Sequence, residues 1–263
     1  MLKKILALKN DSTEKTLIVA LLLCLICSII VSAAAVGLKP LQDKNKALDV
    51  KKNILDVAGL LKPDTDIEAV FENIEAKIID IKSGEYTEEV DVQVYSQRQA
   101  AKDPSMSQQV TADEDIAKIK RRANFATVYF VKEQEKTTLI ILPVHGYGLW
   151  STMYGFIALE PDANTVYSLK FYEHGETPGL GGEIDNPKWR ALWQGKKISS
   201  NADEVKLEVI RGKVDVASSN LQHQIDGLAG ATLTSKGVSN LMKYWLGKNG
   251  FGPFLNKLKN ENS

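Results

Sequence analysis

The sequence has almost no cysteine, no net charge and few histidines, and each scarcity removes a class of function. Its two cysteines, Cys24 and Cys27, both fall inside an apolar N-terminal run. The remainder can therefore form neither a disulfide framework nor a thiolate cluster. A C-x-x-C pair works as a redox dithiol only with an accessible, low-pKa thiolate; among aliphatic residues the pair reads as small packing residues. Lys plus Arg total 33 and Asp plus Glu total 33, so no basic excess points to a nucleic-acid partner. The histidines are His145, His174 and His223. No H-E-x-x-H or paired-carboxylate signature accompanies them, so neither a metal site nor hydrolase machinery assembles and no catalytic side chain is assigned. The sequence also lacks a G-x-x-x-x-G-K-[ST] phosphate loop, which excludes an NTPase of that class. It lacks a G-x-G-x-x-G ahead of a βαβ unit, which argues against a nicotinamide site. What is present is a chain of 263 residues, 44% hydrophobic, long enough for a sizeable core and too apolar for disorder.

Residues 17–38, LIVALLLCLICSIIVSAAAVGL, carry no charge. At about 1.5 Å per helical residue this run crosses a hydrocarbon core of about 30 Å, and Lys39 and Pro40 are expected to close it. Ala33 and Ala35 form the A-x-A pattern of a cleaved signal peptide. The run, however, exceeds the usual h-region of about 7–15 residues, which favours an anchor. The expected organisation is an N-terminal tail at 1–16, a transmembrane helix at 17–38 and a soluble domain at 39–263. Lysines flank both ends of the span, so the positive-inside rule gives no orientation.

In the soluble part, Leu48, Val50, Ile54, Leu55 and Val57 mark an amphipathic helix within 41–60, with Gly59 as its stop. Ile67, Val70, Phe71, Ile74 and Ile78 predict a second helix over 66–81. Residues 96–124 are polar and read as a loop followed by a short charged helix. Strands then follow one another: ATVYFVKE, TTLIILPV, GFIALEP and TVYSLKFYE are rich in Val, Ile, Thr, Tyr and Phe. A further strand is expected at 204–209, a helix at 235–246 and a packed turn at FGPF, 251–254. Helices, then neighbouring strands, then a helix predict an α+β fold with a largely antiparallel sheet.

Three glycine-rich stretches stand apart: HGYGLWS at 145–151, HGETPGLGG at 174–182 and DGLAGATLTS at 226–235. Glycines between strands are commonly turns, and Thr234-Ser235 reads as an ordinary helix N-cap. Three such loops in one half of a domain also let backbone approach a flat ligand closely, Gly179 among them. The third leads into a helix whose free N–H groups and positive dipole end favour an anion.

DGLAGATLT resembles the D-x-x-[ST]-G-A-T-x-[ST] flavinylation motif. HGETPGLGG and GYGLWSTMYGF resemble two further signatures of the NqrC family, the C subunits of the Na+-translocating NADH:quinone reductase. The resemblance extends from the anchor to the FGPF tail. The flavinylation motif alone is shared with the G subunit of Rnf complexes. The resemblance implies an electron-transfer subunit that holds FMN by a phosphoester on a threonine, installed by a separate flavin transferase. It also implies a place among the other subunits of a bacterial inner-membrane complex, with the soluble domain facing the periplasm. Carried onto this chain, the motif comprises Asp226, Gly230, Ala231 and the acceptor Thr232, with Thr234 as the alternative acceptor. One position departs: Ala229 stands where the motif has Ser or Thr. Around such a flavin, Leu149, Trp150 and Leu180 are candidate apolar walls, and Glu176 and Thr177 candidate partners of its polar edge. An Rnf-type flavoprotein and a membrane-anchored assembly or binding module without cofactor are the alternatives.

Overall fold

The computed structural model describes residues 12–134, 136–199 and 204–261. Most of the expected 1–16 tail lies outside them. The chain divides into two units, Met1–Val50 and Lys51–Ser263.

Helix α1 (Thr13–Val57) begins in the first unit. Its apolar stretch is long enough to cross a membrane, and its leucines are exposed, Leu21 by 69%, as a lipid-facing surface requires. The predicted stop at Lys39-Pro40 is a correction: Pro40 lies inside the helix. An interior proline costs about 3 kcal/mol. Breaking the helix and nucleating another at once costs about 4 kcal/mol, so continuity is favoured. The separate helix expected within 41–60 is thus the end of α1. Gly59 is the predicted stop, at a φ of 72° that glycine tolerates best.

In the second unit Asp66 caps α2 (Ile67–Phe71) by accepting from the N–H groups of Glu68 and Ala69. The helix predicted over 66–81 is otherwise wrong, because Ile74–Asp80 is strand β1. Ile74 and Ile78 are four apart, a spacing that fits the helical and the strand period alike. Pairing along β4, from Ile74↔Val131 to Asp80↔Phe125, decides for the strand, which suits β-branched isoleucine.

The 96–124 region contains α3 (Gln97–Ala100), β2 (Ser107–Gln109) and β3 (Arg121–Ala123), the last two paired antiparallel. No charged helix forms after the loop. Lys118 and Lys120 adopt positive φ, and the Asp115 carboxylate accepts from the N–H groups of Ile119 and Lys120 at 2.8 Å each. That side chain gives the backbone an alternative to helical bonding.

The four predicted strands are β4 (Phe125–Glu133), β5 (Lys136–Tyr147), β6 (Thr152–Leu159) and β7 (Val166–Glu173). With β1 they form one antiparallel sheet in the order β1-β4-β5-β6-β7. Beyond it come α4 (Pro187–Ala191), β8 (Glu208–Val209) and β9 (Gln224–Ile225). The strand expected at 204–209 shrinks to the two residues of β8, which pair in parallel with β9. Helix α5 (Thr232–Leu246) then buries Val238, Leu241, Met242 and Trp245 in one core with Leu142, Val144 and Met153 of the sheet. A Cβ on Gly146 would stand 2.6 Å from Leu241 Cβ, so glycine lets α5 approach β5. The FGPF segment is packed as predicted, but as the start of a helix, α6 (Gly252–Glu261).

His145 of β5 lies between the rings of Tyr154, at 5.4 Å, and Trp245, at 4.8 Å. Burial, with the Arg98 guanidinium adding to it, holds its pKa down to about 4. The unfolded imidazole takes up a proton near pH 6.5, so between those values the unfolded state binds more protons than the folded one. Stability is therefore fully present above about pH 6.5 and falls as the pH drops toward 4, by about 2–3 kcal/mol. Urea denaturation across that window should show the loss, and His145→Gln should flatten it.

Candidate functional site

The three glycine loops converge at the N-terminal turn of α5. The N-cap is Ala231, with no side-chain capping bond, so the expected Thr234-Ser235 cap is corrected: the helix starts before them. Because successive helical residues turn by about 100°, Thr232 and Leu233 face outward while Thr234 and Ser235 face inward. Ser235 Oγ accepts from the N–H of Leu228 at 3.1 Å, which fixes the loop against the helix it leads into. Gly230, at a φ of 71°, makes the turn between them.

Glu176 is the brace of the site. It is only 4% exposed. Its Oε1 accepts from the N–H groups of Leu149 and Trp150 at 3.0 Å each, and its Oε2 accepts from the Thr234 hydroxyl at 2.5 Å. One carboxylate thus ties the first loop, the second loop and the α5 helix together. Burial pushes its pKa up, but these donors outweigh burial and hold the carboxyl below its ordinary value. Each of these bonds is internal to the chain, so they fix where the Glu176 carboxylate stands beside the motif.

The neighbouring glycines leave room for the brace. A Cβ on Gly148 would stand 2.5 Å from Glu176 Oε1, and one on Gly181 would stand 2.5 Å from Thr234 Oγ1 and 2.8 Å from Glu176 Oε2. Gly181→Ala should therefore cost about 2 kcal/mol, as overpacking does, read as a lowered urea midpoint at unchanged slope. Gly179, by contrast, turns at a φ of 76° with open space around it. The Thr177 carbonyl accepts from the N–H groups of Leu180 and Gly182, so Thr177 closes the tip of this loop through its backbone.

The remaining polar residues make hydrogen bonds within the chain. Asp226 accepts from the N–H of Val214 at 2.8 Å, and its carbonyl accepts from Trp189 Nε1 at 2.9 Å. His174 lies 2.8 Å from Asp185 Oδ2 through Nε2, while its Nδ1 accepts from the N–H of Glu176. His223 donates from Nδ1 to the Lys197 carbonyl at 2.7 Å.

Two surfaces meet at Thr232. On one side the three loops expose Leu149, Trp150, Leu180 and Leu233, Trp150 by 65% and Leu233 by 58%, apolar area referred to below as the shelf. A Cβ on Gly230 would come within 2.9 Å of Leu180 Cδ2, which places Leu180 against the motif. The other surface is a groove of about 610 Å³ whose lining includes Ala229, Thr232, Arg211, Lys236 and Lys243. That volume is within the range of small-molecule sites. Sequence reasoning does not single out Leu233, Arg211 or Lys236, and it offers Ser235 only as a cap. Leu233 and Lys236 are within reach of helical periodicity counted from Thr232, but nothing near Arg211 marks it.

A sequence profile of the FMN-binding domain family matches residues 148–247, which takes in this site. The C subunit of the Na+-translocating NADH-quinone reductase of Pseudomonas aeruginosa is 51% identical over 95% of this chain and 97% of its own length. The corresponding subunit of Haemophilus ducreyi is 51% identical over 95% and 96%. Among solved structures, NqrC of Shewanella oneidensis matches with a TM-score of 0.73 at 34% identity, over 80% of this chain and 96% of that one. The C subunit of the Na+-translocating NADH-quinone reductase from Parabacteroides distasonis matches with a TM-score of 0.65 at 27% identity, over 83% and 96%.

Proposed function

This chain belongs to the NqrC family, the C subunits of the Na+-translocating NADH:quinone reductase, and from that premise we propose that its FMN is held by a phosphoester to Thr232. The chain is an electron-transfer subunit of that oxidoreductase, with an FMN-binding domain and one N-terminal apolar helix that fits a single-pass membrane anchor. The Rnf-type and cofactor-free alternatives are set aside accordingly.

The contrast between two threonines carries the assignment. Thr234 is buried, and its hydroxyl is committed to Glu176. Thr232 is exposed at the first position of α5, where the N-cap supplies no side-chain acceptor. Helix-terminal N–H groups and the positive dipole end suit a phosphate at that point. The apolar shelf suits a planar aromatic ring, so the residues present fit FMN. When bound, FMN supplies reversible electron transfer; the chain's part is to fix its position and surroundings. Leu149, Trp150 and Leu180 cover the ring, while Gly230 and Ala231 let the backbone come close and Asp226 steadies the loop.

Among the described residues no hydrogen bond joins the Thr232 hydroxyl to a base. A threonine hydroxyl is a weak nucleophile without one, which supports attachment by a separate flavin transferase. In this reading the tail at 1–16 lies in the cytoplasm and the domain at 39–263 in the periplasm, across a bacterial inner membrane. Partners are then the other subunits of the complex. The run at 17–38 has no ionisable side chain other than two cysteines, so this span offers no charged group for an ion path of its own.

Trp150→Ala in the full chain, co-expressed with a flavin transferase, tests the shelf. Covalent flavin should be retained, while its fluorescence rises and its visible bands shift as the stacking partner is lost. An unchanged spectrum and potential would remove Trp150 from the site.

A further inference from the structure

The groove beside Thr232 is unequally charged. Arg211, in the segment after β8, and Lys236, one helical turn beyond Thr232, both line it. Among the described residues neither has an ion-pair partner. The other charged lining residues, Lys243 and Glu208, neutralise each other at 2.9 Å. Asp226, the nearest motif carboxylate, is committed to the N–H of Val214. The groove therefore presents two uncompensated cations and the Thr232 hydroxyl in one concave surface, with Gly212, Gly227 and Gly230 in its wall. Glycine in the wall is required at Gly227, where a Cβ would stand 2.3 Å from the Ile210 carbonyl.

We propose that Arg211 and Lys236 clamp the phosphodiester formed on Thr232, so that the flavin's phosphate sits in the groove while its ring lies on the Leu149–Trp150–Leu180 shelf. This rests on the Thr232 assignment above. The diester keeps one negative charge, and a guanidinium and an ammonium from separate elements compensate it from two directions. The two surfaces then divide the cofactor, charge to one side and aromatic area to the other, with Thr232 on the boundary. Ala229 also lines the groove. The hydroxyl absent at this position is one that would have faced the same phosphate, and the two cations supply the compensation without it.

The test uses the full chain in detergent, prepared with and without co-expressed flavin transferase, as wild type and as Arg211→Gln, Lys236→Gln and the double variant. Intact mass first establishes whether flavin is attached. Then two quantities are compared: the difference in melting temperature between flavinylated and unmodified protein, and the phosphorus NMR shift of the attached phosphate. The unmodified forms should melt within about 1 °C of one another, since both side chains are at the surface. The flavin-dependent stabilisation should fall by roughly half in the double variant, and the phosphorus signal should move in each single variant. Attached flavin with equal stabilisation and an unmoved signal in all variants would overturn the clamp while leaving the Thr232 assignment standing. A wild-type chain that gains no flavin would overturn both.

Discussion

Thr232→Val is expected to abolish covalent flavin altogether, whereas Thr234→Val should retain it. Valine nearly matches threonine in shape, and Thr232 is exposed at the start of α5, so the fold should be unaffected within about 0.5 kcal/mol. All that disappears is the oxygen on which the proposed ester would form. At Thr234 the balance is reversed. Its hydroxyl donates to the Glu176 carboxylate inside the protein, and removing a bond to a charged acceptor costs about 1.5–3 kcal/mol. A flavinylated but less stable Thr234→Val protein beside a stable, flavin-free Thr232→Val protein is the expected pair of results. Fluorescence of denatured protein bands and urea titration read the two quantities separately. The opposite pattern would move the acceptor to Thr234.

The second large effect concerns Glu176. Glu176→Ala leaves the N–H groups of Leu149 and Trp150 and the Thr234 hydroxyl without their acceptor in a place where water is largely excluded. Orphaned donors of this kind cost about 1–3 kcal/mol each when fully buried. The loops are near the surface and can relax, so the net loss should be about 3 kcal/mol. For a domain of this size that lowers the melting temperature by roughly 6–12 °C. The loss should reach the proposed cofactor site too, because the same carboxylate ties Leu149 and Trp150 to the α5 turn; weaker flavinylation is expected even at temperatures where the protein is folded. Acid should act in the same direction. Glu176 has its carboxyl held below the ordinary value by its donors, so its contribution is present above the unfolded value of about 4.3 and is lost as pH falls through the folded one. A thermal scan series from pH 6 to 3 should show this acid loss in the wild type and less of it in Glu176→Ala.

Much of the fold is legible in the sequence because it rests on unambiguous composition. Strands β4 to β7 are rich in Val, Ile, Thr, Tyr and Phe, with turn residues between them, and each lies where that enrichment puts it. Strand β1 reads as helix because Ile74 and Ile78 satisfy both periods, and only pairing with β4 separates them. Pro40 reads as a stop because a local rule ignores the length of helix on either side. Helix α6 reads as a turn: Phe251 and Phe254 are recognisable as packed, but Pro253, which suits a helix's first turn, looks like a break.

At the site, the motif residues and the shelf follow from the loops' glycine pattern and from family resemblance. The role of Glu176 is not legible. Which groups meet a carboxylate depends on how three loops far apart in sequence are folded together, and no spacing encodes it. Arg211 is hidden for the same reason, since β8 brings it to the groove only through its parallel pairing with β9.

The most direct test of the central claim is the mass of the peptide that spans 226–236 from the wild-type chain after co-expression with a flavin transferase. Phosphoester attachment predicts a gain of one FMN less one water, localised by fragmentation to Thr232, with yellow fluorescence that survives denaturation. The unmodified peptide mass from that preparation, or a flavin localised to another residue, would contradict it.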